Sequence, residues 1–117
     1  MDLKKHVKDI LTPVIAGKPL AYRVRSKDRP CVSYHFFNIR PSLHGDGKVK
    51  RKECQCQVDI WTDNGDHLTL ADAITGAMLK AGWLYVGEDD EVDTTIGVYQ
   101  NTIVFYLDYK MEVADGK

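Results

Sequence analysis

The side chains in this sequence with chemical potential are four histidines, three cysteines and one run of carboxylates. His6, His35, His44 and His67 fall on different segments, and Cys31, Cys54 and Cys56 form an odd-numbered set. A structural zinc site needs four converging nitrogen or sulfur ligands. Cys54 and Cys56, with His44, do not make that closed set. Glu88-Asp89-Asp90-Glu91-Val92-Asp93 packs five carboxylates into six residues, but it lacks the ligand spacing and central glycine of a calcium-binding loop. General acid–base work needs carboxylates held in a cleft with separated pKa values. A flexible acidic loop does not provide that, so these residues are expected to be solvated or to face a partner. Gly45-Asp46-Gly47 leads into no helix and no Gly-Lys-Ser/Thr, so it is not a phosphate cradle. No serine or cysteine sits in a nucleophile elbow or a dyad with a histidine. The expectation is no catalytic residue, no metal and no cofactor.

Charge is the more unusual signal. The net charge is −1, yet residues 1–52 carry 13 Lys/Arg against 4 Asp/Glu, while residues 53–117 carry 3 against 13. Such asymmetry points either to a nucleic-acid face or to a chain that docks on copies of itself, unless the charges interleave on folding. The basic residues concentrate around the Gly45-Asp46-Gly47 tip, as Arg40, Lys48, Lys50, Arg51 and Lys52. The acidic ones concentrate in Glu88, Asp89, Asp90, Glu91 and Asp93. These two sets are the candidate subunit-interface residues. The competing reading is a small nucleic-acid-binding module, with the basic hairpin beside a stacking platform of Tyr34, Phe36 and Phe37. The acidic second half and a near-neutral pI weigh against it.

The elements that must position these groups follow from periodicity. Lys50 to Trp61 alternates strictly, with Cys54, Cys56, Val58 and Ile60 on one face and Glu53, Gln55, Gln57 and Asp59 on the other. This is the pattern of a strand with one face on a core and one in water. Asp2 can cap a helix with Leu3, Val7, Ile10 and Leu11 on one stripe, ending near Leu11 or Thr12 before Pro13. Leu20–Val24 and Cys31–Ile39 are expected strands, and 40–49 connects the second to the central strand as a long hairpin tip. Residues 67–81 have helical spacing, with Asp66 as N-cap and Gly82 at the C-terminus. Gly76 inside that helix implies a close approach to the sheet. Trp83–Gly87 and a long Gly97–Met111 are further strands. The fold expected is α+β, a mostly antiparallel sheet of four to five strands with two helices on one face, in the order α-β-β-β-α-β-β. One domain is expected over 1–112, with a mobile polar tail at 113–117. At 117 residues the chain can build a core without disulfides. No apolar run reaches the length of a membrane span and no signal-peptide core opens the chain, so a cytosolic setting is expected.

In this order the segments resemble the tail-completion and tail-terminator proteins of long-tailed bacteriophages and prophages, the lambda tail-terminator type among them. The features that carry the resemblance are the N-terminal amphipathic helix, the aromatic strand at Tyr34-His35-Phe36 and the Gln57-Val58-Asp59-Ile60-Trp61 strand. After them come the helix ending in Ala81-Gly82-Trp83, the acidic segment and the closing strand through Tyr99-Gln100-Asn101-Thr102-Ile103-Val104-Phe105-Tyr106. The resemblance implies a structural, non-enzymatic protein that forms a ring, commonly a hexamer, at the head-proximal end of the tail. It also implies partners in the tail tube and the head connector, contact with nucleic acid only as passing DNA, and no membrane. The implied location is the virion neck, with assembly in the host bacterial cytoplasm.

Overall fold

The computed structural model describes residues 1–111; the tail expected at 113–117 lies outside the described residues. The elements are α1 (Leu3–Leu11), β1 (Leu20–Tyr22), β2 (Cys31–Gly45), β3 (Lys48–Thr62), α2 (Leu68–Lys80), β4 (Leu84–Asp93) and β5 (Val98–Lys110). The five strands form one sheet in the order β1-β2-β3-β5-β4. All neighbours are antiparallel except β1 and β2, which run parallel. The fold is α+β in the expected element order.

Alternation in β3 decides which face the helices cover. Cys54, Cys56, Val58 and Ile60 are fully buried, and they pack with Val32, Tyr34 and Phe36 of β2 and with Ile103 and Phe105 of β5. Above them lie Val7 and Leu11 of α1 and Ala71, Ile74 and Met78 of α2. Asp2 caps α1, its carboxylate accepting from the Lys5 amide at 3.2 Å, and the helix stops at Leu11 before Pro13 removes the next donor. Two bonds fasten it to the sheet side. Tyr34 donates to the Lys4 carbonyl at 3.0 Å, and the Trp83 indole donates to His6 Nε2 at 3.2 Å.

α2 ends as expected. Gly82 has φ +100°, its amide bonds the Leu79 carbonyl, and the Trp83 amide reaches back to Met78 at 3.0 Å. These are the paired bonds of a Schellman stop. The start differs: His67, not Asp66, occupies the N-cap position, and its side chain makes no capping bond. Asp66 is instead in a turn, where its amide bonds Asn64 Oδ1. The explanation expected for Gly76 also fails. A Cβ added there would meet nothing within 4 Å, so no close helix–sheet approach requires a glycine.

The segment expected as a connection over 40–49 is strand nearly throughout. β2 and β3 continue to a two-residue turn, Asp46-Gly47, whose φ values of +54° and +73° match the twist of the flanking strands. The hairpin is irregular, with an extra residue on β2 at the Asn38 bulge (φ +53°) and another between Pro41 and Leu43, and one on β3 between Val49 and Arg51. From Arg40 outward the hairpin is an arm with most of its residues exposed; β5 pairs along it only as far as Arg51–Lys110, so its tip, His44 to Lys50, is two-stranded. The arm contributes to the long dimension of a body measuring 53 × 23 × 23 Å. No helix among the described residues is long and apolar enough to cross a membrane.

Candidate subunit interface

The acidic segment is not a loop. Glu88 to Asp93 forms most of β4, an edge strand paired along β5 from Leu84–Tyr106 to Asp93–Val98, with a bulge at Val86. Pairing therefore splits the carboxylates by alternation. Glu88 and Asp90 lie opposite Ile103 and Asn101, on the helix-covered side; Asp89 and Glu91 lie opposite Thr102 and Gln100, on the open side. The buried Asn101 amide donates to both Glu88 (3.1 Å) and Asp90 (2.9 Å). Asp90 also comes within 2.9 Å of His67 Nε2. That approach is off the line of an N–H bond, and neither ring nitrogen has a hydrogen-bond partner among the described residues. Tyr85 donates to Glu88 at 2.8 Å, a bond that raises the phenol's pKa. Asp93 accepts from the Thr95 amide in the turn to β5. Asp89 and Glu91 have no side-chain partner among the described residues.

The basic candidates divide in the same way. Arg40 pairs with Glu53 at 2.6 Å and Arg51 with Asp108 at 2.7 Å, so both serve to fasten the base of the arm. The Tyr106 hydroxyl also donates to Glu53. This bond, reinforced by Arg40, holds the Glu53 carboxyl below its usual range, while the same bond pushes Tyr106 up to about 12. Lys48, Lys50 and Lys52 make no ion pair among the described residues. Lys50 lies some ten strand positions from Ile60, the residue level with the acidic row, a separation of about 33 Å at the usual strand rise. The free lysines and free carboxylates thus sit at opposite ends of the subunit. The segregation is not complete, because Arg25, stacked 4.8 Å over Trp61, and Arg29, paired with Asp63 at 2.6 Å, lie at the acidic end.

The open face of the sheet was expected to be simply water-facing, and it is more structured than that. Reading across β2, β3, β5 and β4, its rows are Phe37–Gln55–Tyr106–Leu84, His35–Gln57–Val104–Gly87 and Ser33–Asp59–Thr102–Asp89. Asp59 is only 5% exposed. Its carboxylate accepts from Gln57 at 3.1 Å, Gln100 at 3.0 Å and Thr102 at 2.7 Å. Spacing alone gave no sign of this network, because two of its three donors, Gln100 and Thr102, arrive from β5, more than 40 residues away. Between it and the Arg40–Glu53–Tyr106 cluster lies an apolar band of Phe37, Val86 and Val104, edged by Leu84.

Other candidates take their places as follows. Tyr34 and Phe36 are buried under the helices, so only Phe37 of the supposed stacking platform faces outward. Cys31, Cys54 and Cys56 are free and buried. Burial pushes the Cys54 thiol up to about 11 and Cys56 higher still, which makes them core hydrophobes and poor nucleophiles. Among the described residues, no group of three or more His, Cys, Asp or Glu side chains is placed to hold a metal ion.

No protein-family model matches this chain, and no curated protein does. Among solved structures, the fold is similar to a chain from the virion of a native gene transfer agent particle, with a TM-score of 0.56 at 12% identity. The match covers 90% of this chain and 92% of that one.

Proposed function

We propose that this chain is a structural protein of a phage-like particle, assembling with copies of itself into a ring at the head-proximal end of the tail and joining tail to head. The observation that carries the reading is the placement of uncompensated lysines on an arm at one end of the subunit and uncompensated carboxylates on an edge strand toward the other. A ring is built from heterologous contacts, in which one patch of a subunit meets a different patch of the next. Polarised ends of opposite charge suit such a contact, since they fix orientation and speed encounter. The fold shared with a virion chain supports the same reading. Partners other than itself would be the tube below and the connector above, and the location would be the particle's neck.

Arg51 is engaged with Asp108, so the informative reversal spares it. Lys48→Glu with Lys50→Glu and Lys52→Glu is expected to reduce the mass measured by light scattering from a ring to a monomer without changing the circular-dichroism spectrum. Restoration of the ring by reversing Asp89 and Glu91 to Lys in the same chain would tie the two ends together. An unchanged mass and unchanged salt dependence in the triple variant would end the proposal.

A further inference from the structure

We infer that the arm of one copy lies across the open sheet face of the next, with Leu43 seated on the apolar band between Phe37, Val86 and Val104. This rests on the ring reading and adds the contact that charge alone does not supply, because burial of apolar surface carries most of the affinity of an interface.

Two observations meet here. The arm buries little against its own subunit. Ile39 and Leu43, level with the end of β5, are about half exposed, at 49% and 51%, and the two-stranded tip beyond them, His44 to Lys50, is marginal in water by itself. Its outer edge, broken by the Asn38 bulge, Pro41 and further register shifts, is too irregular to add as a strand to another sheet. It must therefore dock through side chains. On the open face, a cleft of about 390 Å³ is lined by Phe37, Gln55, Val86, Asp89, Thr102 and Val104. Val86 is 54% exposed and Leu84, beside it on the edge strand, 61%. Charge complementarity selects the occupant. The cleft's rim carries the free carboxylate of Asp89, and the arm carries Leu43 with Lys48 and Lys50, which make no ion pair among the described residues, on the tip beyond it. A second copy's β4 edge in that position would set carboxylate against carboxylate.

The contact is asymmetric, so its test is as well. A chain with Leu43→Cys and Val86→Cys, oxidised mildly, is expected to give a covalent ladder extending beyond the dimer on a non-reducing gel. Each single variant is expected to give none, because Leu43 does not meet Leu43. The buried native cysteines do not compete. Leu43→Asp is expected to raise the concentration for half-assembly by about tenfold or more, the cost of losing one buried leucine contact, with an unchanged monomer melt. Oligomers in light scattering without a ladder in the double variant, or dimers from a single variant, would overturn the docking and leave the ring standing. A protein that stays monomeric at every concentration would overturn both.

Discussion

Asp59 offers the sharpest test of how the open face is held. Three side-chain donors from two strands converge on one carboxylate that is almost wholly buried on the face away from the helices. Asp59→Ala removes all three bonds. A hydrogen bond to a charged group contributes about 1.5–3 kcal/mol, but Gln57, Gln100 and Thr102 are only half-buried and partly regain water. The expected net loss is therefore about 2–3 kcal/mol rather than the full sum. With an unfolding entropy of about 2.1 cal/mol/K per residue, a chain of this size loses about 4 °C of melting temperature per kcal/mol, so the fall is about 8–12 °C. Asp59→Asn keeps the shape and one acceptor and is expected to cost about half as much. The measurement is urea unfolding followed by circular dichroism, at a protein concentration below assembly, since association would mask the change. If both variants unfold within about 0.5 kcal/mol of the parent, the scatter usual for unremarkable surface changes, the network does not hold the sheet and the reasoning fails.

Two further predictions concern the helices. Burial lowers the pKa of His6, whose Nε2 accepts from the Trp83 indole, so the folded protein binds this proton less readily than the unfolded chain. The resulting stability is complete above the ordinary histidine value of about 6.5 and is lost as pH falls through the lowered folded value; urea midpoints should drop over that range in the parent and stay flatter in His6→Phe, and equal slopes would refute it. Gly76→Ala, with open space for the added methyl, is expected to stabilise by about 0.5–1 kcal/mol in the same urea experiment, and a destabilised variant would show a contact the geometry does not contain.

How much was legible from residues alone depended on range. The strict alternation of Cys54, Cys56, Val58 and Ile60 set β3 as a strand with one buried face. The apolar stripes running from Leu3 to near Leu11 or Thr12 and over 67–81, stopped by Pro13 and Gly82, set two helices to cover that face. These are local signals, because a side chain's direction in a strand or helix follows from position along the chain. The Asp46-Gly47 turn was legible for the same reason, since left-handed backbone is cheap there.

The candidate interface was legible in composition and misread in form. A run of carboxylates reads as loop, because each charge favours water over a sheet, yet Glu88 to Asp93 is strand because β5 supplies a paired edge on one side and leaves the other open. That pairing then sends Glu88 and Asp90 toward Asn101 and His67 and leaves Asp89 and Glu91 free. In the same way Arg40 and Arg51 look equivalent to their lysine neighbours until Glu53 and Asp108 are brought alongside. Sequence by itself determined which residues alternate, which turn and where charge accumulates. Only the tertiary structure decided which charges are already spent, because a partner dozens of residues away contributes nothing to local pattern until the sheet sets it a few ångströms off.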